Sequence, residues 1–148
     1  MEDIMFRTIL YPVDLSDDDA KVTQLVAELA RTFDARIIAL YVAPSMIQYE
    51  IFDLPTASIP QLVGDIVSGA EKVMAEFVQK HFAGVTAEGM VVSGDAAEEI
   101  VRQAEAHGAD LIVMATHGRK GLNRLLFGSV AEKVVKVAPM PVLTVRPQ

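Results

Sequence analysis

Cysteine is absent from this 148-residue chain, which excludes a disulfide framework and a thiolate zinc centre. Nothing in the composition therefore calls for an oxidising compartment. Basic residues are scarce: thirteen Lys and Arg face twenty Asp and Glu, for a net charge of −7. An acidic surface repels nucleic acid backbones and anionic membranes, so neither is expected as a partner. Long apolar runs are missing, and those present fall well short of the ~20 residues that a membrane helix needs. The opening Met1-Glu-Asp-Ile-Met-Phe-Arg7 is acidic and carries no apolar signal core. Repeats, low-complexity tracts and interdomain linkers are lacking too. The expectation is a soluble, cytoplasmic protein of one domain over residues 1–148, long enough to bury a substantial core.

What is present is an alternation of two hydrophobic periods. Thr8-Ile-Leu-Tyr-Pro-Val13 is a short run of strand formers, and Val22, Leu25, Val26, Leu29 and Ala30 then recur at helical spacing. Arg36 to Val42 is almost continuously apolar, the mark of a strand covered on both faces. From Ala43 to Ile59, prolines at 44 and 55 interrupt the pattern and Pro60 follows, so a long loop is expected there, a candidate lid or partner contact. A long helix is expected from about Gln61 to His81, and a third strand from Thr86 to Val92. Asp95-Ala-Ala-Glu98 has capping-box spacing before a helix that Gly108 stops. Leu111 to Ala115 is the fourth strand. Ser129-Val-Ala-Glu132 repeats the capping-box spacing and predicts a helix from there through Val137, before a last strand at Val142–Val145. Alternating strands and helices imply right-handed crossovers and an α/β fold: an open, parallel, five-stranded sheet with helices on both faces.

The segment after strand four carries the chemistry. Gly118 follows the strand end, nine residues separate it from Gly128, and Ser129 comes next. Glycines at a strand–loop–helix junction let exposed amides approach an anion, and Arg119, Lys120 and Arg124 add positive charge between them. Those three cations read equally as phosphate contacts or as solvated surface. Ser129 can donate to a phosphate or cap its helix locally, and both can hold, because a capped helix start still offers other amides to an anion. His117 reads first as a hydrogen-bonded loop residue, since no second histidine or carboxylate pattern supports a metal or a base. Asp14, just past strand one, reads first as a turn residue and second as an acceptor for a base amino group or ribose hydroxyl. The acids Asp17 to Asp19 complement a helix start. In an open parallel sheet, ligands sit outside the carboxyl ends of the strands where the order reverses. If strands one and four are neighbours there, Asp14, Val42 and the Gly118–Gly128 loop converge on one crevice.

With these elements placed, the chain resembles the nucleotide-binding branch of the universal stress protein family over nearly its whole length. The resemblance rests on Ile9-Leu-Tyr-Pro-Val-Asp14, Gly94-Asp-Ala-Ala-Glu-Glu-Ile100, Ala109-Asp-Leu-Ile-Val-Met-Ala-Thr-His-Gly118, Gly128-Ser-Val-Ala-Glu132 and Pro141-Val-Leu-Thr-Val145, in the family's order. It implies a Rossmann-like fold of the adenine nucleotide alpha hydrolase type. The family's ATP motif is a glycine, two residues, a second glycine, nine residues, then glycine with Ser or Thr. The last two glycines match Gly118 and Gly128, but the first position is Ala115, whose methyl is expected to crowd a ribose or phosphate or to force a small shift.

The resemblance implies a nucleotide site made of Pro12, Val13, Asp14 and Val42 around the base and Met114, Ala115 and Thr116 on the ribose side. His117, Gly118, Arg119, Gly121, Gly128, Ser129 and Val130 would surround the phosphates. It further implies ATP, or AMP or ADP, with Mg or Mn bound through the phosphates, and a homodimer paired along Val142 to Val145. An ATP-binding, stress-response regulator is expected. A slow ATP hydrolase or phosphate-transfer enzyme, and a nucleotide-free dimeric scaffold, are the alternatives; no Gly-Lys-Ser or Gly-Lys-Thr phosphate loop and no clear catalytic residue is present.

Overall fold

In the computed structural model, residues 6–15, 20–45, 58–116 and 124–146 are described. Five strands run β1 (Thr8–Pro12), β2 (Arg36–Ala43), β3 (Ala87–Ser93), β4 (Leu111–Ala115) and β5 (Val142–Val145). The helices between them are α1 (Ala20–Phe33), α2 (Ile59–His81), α3 (Ala96–Ala106) and α4 (Arg124–Val137). All strand pairings are parallel, in the order β3-β2-β1-β4-β5. The chain builds outward from β1 to β3, then returns to place β4 on the other side of β1, so the direction of winding reverses between β1 and β4. Ile9 and Leu10 pair there with Leu111 and Ile112.

Alternation along the strands divides the core in two. Ile9, Tyr11, Ile37, Val113 and Ala115 point to a cluster with Val22 and Val26 of α1 and Met74 and Phe77 of α2. Leu10, Ile38, Leu40, Ile112 and Met114 point the other way, to Ile100 and Ala104 of α3 and Ala131 and Val134 of α4. Strands covered on both faces explain the unbroken apolar runs of β2 and β4.

Most boundaries follow local chemistry. The Asp95 carboxylate accepts the Glu98 N–H at 3.1 Å, a true N-cap of α3, and Gly108 ends that helix region in the left-handed conformation, φ +66°. α2 begins at Ile59 rather than near Gln61, because Pro60 lies in its first turn, where a missing N–H and a fixed φ are tolerated. Of the long interruption from Ala43 to Ile59, residues 46–57 fall outside the described set.

One boundary differs in substance. α4 opens at Arg124, so Ser129 is not its N-cap but an exposed residue inside it. Arg124-Leu-Leu-Phe127 is a run of good helix formers, and a helix of this length absorbs the roughly 1 kcal/mol that Gly128 costs. Glu132, expected to reach back to the cap, instead pairs with Lys136 one turn ahead at 3.3 Å.

The amino ends of the strands are tied by polar side chains. Arg36 donates to the Thr8 hydroxyl, the His107 carbonyl and Glu88, each at 3.1 Å. Asp110 accepts the N–H groups of Arg7 and Thr8 at 3.0–3.1 Å. These contacts join β1, β2, β3 and the turn before β4 at the end of the sheet opposite to the reversal crevice.

Candidate functional site

Between the carboxyl ends of β1, β2 and β4 lies a cleft of about 170 Å³, on the α3–α4 side of the sheet. Its lining includes Pro12, Val13, Asp14, Val42, Met114 and Val130, which are among the residues that the family resemblance implied for the site. Leu40, Tyr41, Ala96 and Ile100 complete it. Ala96 and Ile100 were missed by sequence reasoning, although their four-residue spacing directly after the Asp95 cap stacks them on one face of the first turns of α3. Two surface grooves are larger, about 540 Å³ and about 740 Å³, but they lie along α2 and β3 and between α3 and α4, away from the strand ends.

Backbone geometry fixes the position of Asp14. Val13 donates to the Leu40 carbonyl at 2.8 Å, so the ladder between β1 and β2 runs one residue past the strand and delivers Asp14 to the rim. Leu15 then turns with φ +65°, a conformation that costs an ordinary residue about 1–2 kcal/mol. Its side chain packs onto the α1–α2 core and lines a second cavity with Val73 and Phe77 of α2. Burial of this kind offsets the strain and holds the turn in place. Among the described residues, Asp14 is the one carboxylate lining the cleft, set against apolar walls from Val42, Ile100, Met114 and Val130. The arrangement suits a flat, apolar ring edged by hydrogen-bond donors.

Four further expected residues that are described, Ala115, Thr116, Gly128 and Ser129, are not part of this lining. Ala115 is 2% exposed and belongs to the core cluster on the α1–α2 side, whereas its neighbour Met114 faces the cleft. The expected crowding by the Ala115 methyl is therefore corrected: strand alternation turns that methyl to the opposite face from the cleft. Thr116 is directed to β5, its N–H donating to the Val145 carbonyl at 2.9 Å and its hydroxyl reaching the same oxygen at 3.5 Å. Gly128 lies beside the end of β4. A Cβ built there meets only the Thr116 carbonyl oxygen among the described residues, at an ordinary 3.8 Å, and its φ is not positive. Neither packing nor backbone conformation among the described residues thus requires glycine at 128. Ser129 is exposed on α4. His117, Gly118, Arg119 and Gly121, with Lys120, lie outside the described residues.

Comparison with known proteins agrees with this layout. A family model described as the universal stress protein family matches residues 5–146. Universal stress protein MJ0531 of Methanocaldococcus jannaschii is 35% identical over 144 residues, covering 96% of this chain and 83% of that protein. Among solved structures, MJ0577 of the same organism has a TM-score of 0.74 at 29% identity, over 98% of this chain and 99% of that one. A universal stress protein of Archaeoglobus fulgidus, in complex with dAMP, has a TM-score of 0.60 at 22% identity, over 97% of this chain and 100% of its own. At that identity the likeness is one of fold.

Proposed function

Because this chain belongs to the universal stress protein family, we propose that it is a homodimeric, nucleotide-dependent regulator of a stress response whose cleft takes the adenine end of ATP, or of ADP or AMP. The observation that carries this reading is the cleft itself, an aliphatic slot at the winding reversal with a single carboxylate at its rim. Asp14 would accept from the adenine amino group or a ribose hydroxyl, while Val42, Ile100 and Met114 would enclose the ring. The dAMP complex of the Archaeoglobus protein shows that the fold admits an adenine nucleotide, and the residues of this chain supply the specific support.

Phosphates would extend from the cleft toward Gly118, Gly128 and Ser129. A divalent ion would enter through those phosphates; among the described residues no group of three or more His, Cys, Asp or Glu is arranged to hold one. Among the described residues, no helix is long and apolar enough to cross a membrane. The reading places the protein in the cytoplasm, as one domain. The proposed dimer pairs β5 with its copy: β5 is an outer strand, and Leu143 is 39% exposed on it.

The test is native mass spectrometry of freshly purified protein, followed by denaturation and identification of any released small molecule. A dimer carrying an adenine nucleotide is expected. An empty protein that also takes up no added ATP with Mg would overturn the reading and favour a nucleotide-free scaffold. That second reading has one observation behind it: the start of α4 at Arg124 places the Gly128 and Ser129 amides within the helix instead of at its open end.

Ala115 offers a sharper check. Since its methyl fills core on the far side of the sheet, Ala115→Gly should not tighten ATP binding. It should lower unfolding free energy by roughly 1–2 kcal/mol through the lost methyl and the freer backbone. A large gain in affinity, measured by calorimetry, would show that the methyl does obstruct the nucleotide.

A further inference from the structure

We infer that the outer edge of β3, with the groove beside it, is a docking surface for an extended, basic peptide segment of a partner protein, which adds to the sheet as a new strand. Among the described residues, β3 pairs with β2 alone. The Thr86 carbonyl accepts the Ile37 N–H at 2.9 Å, and the Gly94 N–H donates to the Ala43 carbonyl at 3.0 Å, so even-numbered residues of this segment direct their main chain to β2. Alternation then turns the N–H and carbonyl groups of Ala87, Gly89 and Val91 outward. They form an open template about 17 Å long, at roughly 3.3 Å per residue.

Among the described residues, several of the usual protections of an edge are missing here. Ala87 to Ser93 contains no lysine and no proline, and its register with β2 runs without a bulge from Ile37↔Ala87 to Ala43↔Ser93. Along this edge runs a groove of about 540 Å³ whose other wall is α2, through Glu71, Met74, Ala75 and Val78. Met74 lies directly over Gly89 and takes the place that a side chain there would need, so the glycine lets α2 pack close against the edge strand. A strand added here would set alternate side chains against this apolar wall while its backbone pairs with the edge.

Charge selects the occupant. Among the described residues, the ionisable ones lining the groove are Glu71 and Glu88, both carboxylates, on a chain of net charge −7. Arg36 partners Glu88 at 3.1 Å, yet the Glu88 side chain remains 55% exposed. A second copy brought edge to edge would set the same carboxylates against each other, which opposes self-association, whereas lysines in an extended segment complement them.

The test uses the 15N-labelled full chain and an acetylated, amidated peptide of alternating lysine and valine, with a glutamate–valine peptide as its counterpart. The lysine peptide is expected to shift the amide signals of Ala87, Gly89 and Val91 and to slow their hydrogen exchange at least tenfold, with the glutamate peptide at least tenfold weaker. In the double variant Ala87→Pro with Val91→Pro, the lost N–H groups are the outward ones, so the ladder to β2 survives and the response should vanish. Should that variant fold poorly, Glu71→Lys at an exposed helix position should weaken the lysine peptide at least fivefold. No response at these amides, an equal response to both peptides, or indifference to the substitutions would overturn the inference. Protection of the same amides that grows with protein concentration in the absence of peptide would also overturn it, assigning the edge to self-association. ATP binding followed in parallel should be unchanged throughout, which separates this surface from the cleft.

Discussion

Replacing Ala96 with phenylalanine is expected to weaken ATP binding by roughly 100-fold or more, equivalent to about 2.7 kcal/mol. Ala96 is a partly exposed residue in the first turn of α3 and lines the cleft from the side opposite β1. A benzyl group there enters a space of only about 170 Å³ and competes directly with the base. Because the Asp95 cap and the core residues Ala97 and Ile100 are untouched, thermal stability should stay close to that of the parent. Calorimetric titration with ATP and Mg, beside a melting curve, makes the comparison. Undiminished affinity in a normally folded variant would mean that the nucleotide lies elsewhere.

The largest loss of stability is expected from Ile112→Ala, about 3–4 kcal/mol within the range for buried aliphatic truncations. Ile112 is fully buried in β4, pairing with Leu10 of β1 and Val142 of β5, and packs in the cluster that includes Ile38, Ala104 and Val134. Strands held on both sides and covered by helices leave little freedom to collapse around the lost atoms. Urea unfolding should show the midpoint falling by about 2 M for a slope near 1.5–2 kcal/mol/M. A shift below a third of that would show that α3 and α4 close over the cavity.

The succession of strands and helices, and cover on both faces of the sheet, were legible in hydrophobic period; the strand order that makes β1 and β4 neighbours was not, because it depends on contacts between distant segments. Continuous runs such as Arg36–Val42 required cover on both faces, and the Asp95 and Gly108 signals marked the ends of α3 because each acts through its own backbone. Ser129 shows where such reading fails. A serine three residues before a glutamate satisfies the capping pattern anywhere, including inside a helix, and the preceding Arg124-Leu-Leu-Phe127 outweighs it. At the cleft, Asp14 and Val42 were readable because they end strands. Ala96 and Ile100 were not, since only the three-dimensional approach of α3 to β2 makes ordinary helix residues into a wall. The direction of the Ala115 side chain was also implicit in strand alternation, but motif comparison treats a glycine replaced by alanine as a defect whichever face the methyl takes.

The ties made by Arg36 and Asp110 have an evolutionary consequence. They anchor the sheet at the amino ends of its strands, using side chains far from the crevice and independent of anything bound there. The cleft lining at the opposite rim, where Asp14 leaves β1, takes no part in those ties. Substitutions in that lining can therefore alter what is bound while the anchors at the amino ends stay intact, so ligand preference can change without first disturbing the frame.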